Sequence, residues 1–254
     1  MRRAEGVLHG DSAARVTGKV RHGRGSFSVS PGRCSSTRPG HLRLWCVSVS
    51  FEEAPEFSKG ALEALRQPLE HGRVQLARSG GGTEYPARTQ LVLASNPCPC
   101  AKPAGDAYCE CSPLARRRYL GRLSGPLLDR IDVQVKLLPV RAAELMEVAR
   151  AGESSAGVAA RVSLARRAAA ARWAPVGRKL NAEIPGPYLR RPPWRLPVRD
   201  TAELRGRLDS GAISARGFDR IIRLAWTIAD LDGRDRPGRE DVLEAIQLRT
   251  GEGT

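Results

Sequence analysis

Trp45-Cys-Val-Ser-Val-Ser-Phe-Glu-Glu-Ala-Pro-Glu-Phe-Ser58 is the stretch on which the fold of this 254-residue chain turns. Its first seven residues form a short β-prone run, the signature of a buried strand, and the run ends in the acidic pair Glu52-Glu53. Ser58 then stands as an N-cap before a helical stretch in which Leu62, Leu65 and Leu69 share one face. Pro68 should end or kink that helix near Gln67, and Gly72 closes it.

Downstream, Arg73-Val-Gln-Leu-Ala-Arg-Ser79, the glycines Gly80-Gly81-Gly82 and Thr83-Glu-Tyr-Pro-Ala-Arg-Thr89 have the form of a hairpin around a glycine turn. Thr89-Gln-Leu-Val-Leu-Ala-Ser95 reads as a second buried strand ending at Asn96-Pro97. The prolines, Gly105 and four cysteines of residues 98–112 require a loop, and Ser112-Pro113 is a good helix start. A helix to about Leu123, a turn at Ser124-Gly-Pro126, a short helix to Arg130 and a strand from Ile131 to Val135 complete an α/β half. Beyond Pro139 the periodicity is helical. Val158, Val162 and Ala165 mark one helix, Phe218, Ile221, Ile222, Ala225, Ile228 and Ala229 another, and residues 242–248 a third, linked by the Pro/Arg-rich stretch 185–197. Upstream, residues 1–44 are rich in Gly, Ser and Arg and read as loop or disorder. The expected division is therefore an atypical segment 1–44, an α/β piece 45–139 and a helical piece 140–254.

The 42 Lys+Arg against 27 Asp+Glu leave a net charge of +15, which favours polyanionic partners by counterion release, although arginine-rich composition alone does not establish nucleic-acid contact. No apolar run reaches the roughly 20 residues of a membrane span, and the first 30 residues hold no signal-peptide core. A cytoplasmic protein without membrane contact is expected.

The order of these signals matches a known pattern. Phe51-Glu-Glu-Ala-Pro-Glu-Phe-Ser58, Leu62-Glu-Ala-Leu-Arg-Gln-Pro-Leu-Glu70, Asn96-Pro-Cys-Pro-Cys100 and Arg122-Leu-Ser-Gly-Pro-Leu-Leu-Asp-Arg-Ile-Asp132 closely resemble magnesium-chelatase-like AAA+ ATPases of the ComM (YifB) type. Glu153-Ser-Ser155 and Ser214-Ala-Arg-Gly-Phe-Asp-Arg220 extend the likeness, which covers about residues 51 to 250. The resemblance implies an α/β AAA+ P-loop NTPase core, here partial, followed by a helical lid. It also implies ATP and Mg²⁺ as cofactors, a homo-oligomeric ring around DNA, and helicase or branch-migration activity in natural transformation.

Residue by residue, the resemblance places Glu52 where the family's first acid holds the Mg²⁺ shell and Glu53 where the second polarises the attacking water. Glu52 stands in place of the usual Asp, and its extra methylene displaces the carboxylate. On residues alone the pair could be two solvated acids. Asn96 takes the sensor position that orients the water, where Asn-Pro alone would read as a turn starter. Arg130 takes the place of the arginine finger presented to a neighbouring subunit, against the plainer reading of a salt bridge to Asp129 or Asp132. Arg216 resembles the lid's sensor arginine, against a solvated helix charge.

Cys98-Pro-Cys100 and Cys109-Glu-Cys111 set four thiols within fourteen residues, enough for a tetrahedral zinc site. The spacing is CxC and not the CxxC of zinc ribbons, so free thiols and redox chemistry stay open beside Zn²⁺. Cys34 and Cys46 need no role.

GxxxxGK[ST], which cradles nucleotide phosphates, does not occur. Gly18-Lys19-Val20 falls short, with Ala13 in place of the first glycine, Val20 in place of Ser/Thr and no apolar strand before it. A truncated or frameshifted reading frame upstream of Glu52 would account for this. Three functions compete: a family ATPase fragment inactive alone, a non-catalytic basic module that grips DNA or joins rings of an intact paralogue, and a magnesium chelatase subunit proper.

Overall fold

A computed structural model describes residues 18–22, 25–32, 46–78, 81–100, 102, 109–138, 140 and 152–252. The chain divides into two compact units, Met1–Arg130 and Ile131–Thr254.

The first unit is a mixed α/β body. Strands β1 (Gly18–His22), β2 (Gly25–Gly32), β3 (Cys46–Glu52) and β6 (Thr89–Leu93) form one sheet in the order β1-β2-β3-β6. The first two pairings are antiparallel, and β3 runs parallel to β6 with Phe51 opposite Leu93. β4 (Arg73–Arg78) and β5 (Gly81–Pro86) make the expected hairpin.

β1 and β2 correct the reading of residues 1–44 as loop or disorder; the rest of that segment lies outside the described residues apart from these two strands. A strand needs backbone partners more than apolar side chains, and β2 supplies them to one whole side of β3. Gly18-Lys19 falls within β1, which is not the glycine-rich turn into a helix that a phosphate loop requires.

The chain leaves β3 through a 3₁₀ turn, Ala54–Glu56, into α1 (Lys59–Ala64) and α2 (Arg66–His71). The break falls at Leu65 and not at Gln67. Pro68 lies in the first turn of α2, where no intrahelical N–H is needed, so the kink precedes it. Gly72 ends α2 at φ 66°, which needs no Cβ. α3 (Pro113–Leu120) and α4 (Gly125–Leu128) follow. Phe51, Ala54, Phe57, Leu62 and Leu127 form the buried centre, with the Phe51 and Phe57 rings edge to face at 5.0 Å. Each such large side chain contributes roughly 1.5–3 kcal/mol by leaving water.

In the second unit the described residues hold helices and turns but no strand. Residues 131–135 form no strand, contrary to the one expected there. Gln134 N–H instead donates to Leu248 O at 2.6 Å, and Asp132 pairs with Arg220. The helices are α5 (Ser155–Trp173), α6 (Gly186–Leu189), α7 (Ala202–Asp209), α8 (Ala215–Leu231) and α9 (Arg239–Thr250). α6 lies inside the stretch read as a linker, and α7 went unmarked in the sequence. Among the described residues no helix is long and apolar enough to cross a membrane.

Serine sets the helix starts in both units. Ser58, Ser112, Ser124, Ser154 and Ser214 each accept the N–H three residues on, at 3.0 to 3.3 Å. Each such cap is worth about 1 kcal/mol.

The core of the second unit gathers Trp173, Ile184, Leu204, Ile221, Trp226 and Ile246 around a buried polar network. Arg172 grips Asp230 with both terminal nitrogens and stacks over the Trp226 ring at 4.3 Å. Asn181 donates to Asp230 at 2.8 Å and accepts from Trp173 Nε1 at 2.7 Å. Asp230→Ala strands a buried cation and an amide, so we expect a loss of about 3–5 kcal/mol. Urea unfolding followed by tryptophan fluorescence measures it; a loss below about 1 kcal/mol would mean that water already satisfies Arg172.

Candidate functional site

Parallel β3 and β6 release their chains at the same edge of the sheet. Ala94 N–H donates to Phe51 O at 2.8 Å and Ala54 N–H to Ala94 O at 2.9 Å, so the pairing runs past both strand ends. These bonds bring Glu52-Glu53 on one strand and Ser95-Asn96 on the other to one end of the sheet. Glu52 is exposed; Glu53 and Asn96 are half-buried.

Glu53 has φ 53° and ψ 50°, the one positive φ at a non-glycine position among the described residues. That conformation costs a side-chain-bearing residue on the order of 1–2 kcal/mol. The neighbouring Ala54 bond and the Glu56 N–H donating to Glu53 O at 2.8 Å hold it there. Strain retained under such restraint is a mark of functional positions.

Tyr119, which the sequence reading did not single out, ties this end together. It projects from α3, is 5% exposed, and its phenol meets the Asn96 backbone. Burial first, then the negative fields of Glu56 and Glu53, push the phenol above the ordinary tyrosine range, while the Asn96 backbone bond opposes them. One turn on, Arg122 donates to Pro55 O at 2.7 Å and lies 3.8 Å from Glu56. A lone aromatic behind Arg116-Arg117-Arg118, three residues before Arg122, was the signal available in the sequence.

Arg130 is buried, with its side chain 8% exposed. It pairs with Glu70 and donates to Pro126 O at 2.5 Å. Ser124 similarly donates to Glu63. The Leu62–Glu70 and Arg122–Asp132 segments are thus joined at Glu63–Ser124 and Glu70–Arg130, with Leu62 and Leu127 buried between. Arg216 is exposed in the first turn of α8, where the helix dipole disfavours a cation. It lies in the second unit.

The four cysteines come together. The Sγ atoms of Cys98, Cys100, Cys109 and Cys111 lie within 4.8 Å of one another, and all four are free thiols. Hydrogen bonding from Cys98, then from the Lys102 backbone, lowers the Cys100 thiol to about 6, while burial above all raises Cys111.

With this geometry in view, residues 14–145 match the family model for magnesium chelatase, subunit ChlI, and residues 152–249 the model for the ChlI C-terminal region. The chain is 49% identical over 227 residues to an uncharacterized protein of Mycobacterium tuberculosis, covering 89% of this chain and 43% of that protein. It is 37% identical over 229 residues to YifB of Escherichia coli, covering 90% and 44%, and 34% identical over 229 residues to competence protein ComM of Haemophilus influenzae, with the same coverage. The chain spans less than half the length of the curated relatives it matches.

The Glu70–Arg130 geometry yields a stability test. Arg130→Ala leaves a carboxylate without its cation, and we expect the first unit to lose about 3–5 kcal/mol, whereas Glu70→Met with Arg130→Met should recover most of it. Hydrogen exchange of amides 113–130 reports the change. An unaltered exchange pattern in Arg130→Ala would free the arginine from a packing role.

Proposed function

The chain belongs to the magnesium chelatase ChlI family, and from that premise we propose that its first unit is the acid-and-sensor half of an AAA+ ATP site of the ComM type. The observation that carries this reading is the joint placement of Glu53 and Asn96 at the C-terminal end of two hydrogen-bonded parallel strands. Open α/β sheets bind ligands beyond that end, where side chains from neighbouring strands converge. Glu53 would polarise the attacking water and Asn96 would orient it against the γ-phosphate, and Glu52, one methylene longer than an aspartate, is the residue that would hold Mg²⁺. Mg²⁺ supplies charge neutralisation on the phosphates when bound. Tyr119 positions the Asn96 backbone.

The phosphate loop is not among these 254 residues, so the chain hydrolyses nothing alone. It works in a ring, either of its own copies or with an intact paralogue that carries the loop, with Arg216 as the lid's sensor and Arg130 as the finger. For Arg130 this role requires exchange of Glu70 for a neighbour's phosphate. DNA is the polyanion that the net charge of +15 favours. We assign the chain to the cytoplasm and, following its relative's name, to competence, with helicase or branch-migration work on DNA.

Joining the chain to a segment that carries GxxxxGK[ST] tests the reading. The chimera should hydrolyse ATP, and Glu53→Gln should slow it about 10²- to 10⁴-fold. Glu52→Asp should raise the rate at limiting Mg²⁺. A folded, nucleotide-binding chimera whose rate ignores Glu53→Gln would remove Glu53 from the mechanism. Turnover by the unmodified chain that Glu53→Gln abolishes would reveal another phosphate cradle.

Contact with DNA should be electrostatic. Arg117, Arg118, Arg166 and Arg167 are exposed on helices with little aromatic interleaving. Affinity should fall at least about tenfold between 50 and roughly 200 mM salt, read by fluorescence anisotropy of a labelled duplex. A salt-insensitive complex would favour base stacking over phosphate contact.

A further inference from the structure

We propose that Cys98, Cys100, Cys109 and Cys111 bind one structural zinc ion as four thiolates, clamping the exit of β6 to the start of α3. The proposal is independent of the ATP reading, since it uses none of the residues assigned to nucleotide.

Three of the sulfur pairs already stand close, Cys98–Cys100 at 3.1 Å, Cys98–Cys109 at 3.3 Å and Cys100–Cys109 at 3.6 Å. Zn–S bonds of about 2.3 Å in a tetrahedron set the sulfurs about 3.8 Å apart. All four Sγ atoms lie within 4.8 Å of one another, so they bracket that spacing, and a central cation would draw them onto one sphere by small side-chain movements. Thiols are weak donors and acceptors, and their mutual contact gives little reason for four to converge.

The surroundings point the same way. Among the described residues from 97 to 112, Cys98 is the only buried one, so this connection has little apolar core of its own. Lys102 pairs with Glu110 at 2.6 Å, which ties the segments that carry the two CxC pairs.

The placement gives the ion a task. Cys98 comes two residues after Asn96, and Cys111 immediately precedes Ser112, the N-cap of the helix that carries Tyr119. Four protein ligands leave no open position, which is the pattern of a structural and not a catalytic zinc. Binding is an acid–base step without electron transfer: each protonated thiol gives its proton to solvent and its sulfur lone pair to the metal.

The full chain, purified from zinc-containing medium without chelators, is the test material. Elemental analysis should find about one zinc per chain. Chelation should expose four further reactive thiols and accelerate hydrogen exchange of amides 96–100 and 109–119 about tenfold or more, leaving 155–250 unchanged. Cys98→Ser with Cys109→Ser should cut metal content at least about fivefold, whereas Cys34→Ser with Cys46→Ser should keep it. Should the first variant not fold, Co²⁺ added to chelated wild-type chain decides: tetrahedral thiolate d–d bands and sulfur-to-cobalt charge transfer support the site, and an octahedral aquo spectrum overturns it. Metal below about 0.2 per chain with reactive thiols, disulfides among the four cysteines, or iron in place of zinc also overturns the assignment.

Discussion

The Glu70–Arg130 ion pair is the constraint around which the first unit is arranged. It lies at the end of α2 and just after α4, joining segments sixty residues apart in the chain. One helical span away the Glu63–Ser124 bond repeats the connection, and Leu62 and Leu127 fill the space between. Two polar ties flanking an apolar contact fix a rotation as well as a distance. α1 and α2 therefore cannot slide along the 124–130 segment without stranding a carboxylate. α3 inherits that fixed position, and with it Tyr119 and Arg122 reach the turn after β3.

From that frame the end of the sheet acquires its chemistry. A carboxylate on one strand and an amide on the next are brought together by backbone bonds that continue past the last ladder pair. The strained turn at Glu53 persists because its neighbours are anchored on both sides. The same logic holds in the second unit, where Asp230 is surrounded by Arg172 and Asn181 and has almost no freedom to choose another partner.

Much of this was legible in the sequence, for reasons that differ by element. β3, the hairpin and the serine-capped helices carry local signals: β-branched runs, a glycine turn, a hydroxyl before an apolar period. The family resemblance singled out Glu53 and Asn96, whose placement at one end of the sheet follows from the parallel pairing of β3 with β6, and the CxC spacing singled out the four cysteines. β1 and β2 were missed because a Gly/Ser-rich strand is specified by the backbone of its neighbour, although Ser26-Phe-Ser-Val-Ser30 does alternate. Residues 131–135 have strand composition but find their partner in the end of α9, a choice no local pattern encodes. Tyr119 and the Glu70–Arg130 pair are tertiary facts. Charges sixty residues apart announce nothing until the helices between them are packed.

The sheet order β1-β2-β3-β6 leaves β6, among the described residues, with a pairing partner on one side only. Its sequence, Thr89-Gln-Leu-Val-Leu93, has neither a charge nor a proline to blunt the other side, and Val92 is half exposed. An edge of that kind is a template for any extended chain that meets it, including another molecule of the same protein. On concentration or heating such an edge favours strand addition between molecules, and a lysine placed at Gln90 or Val92 opposes it.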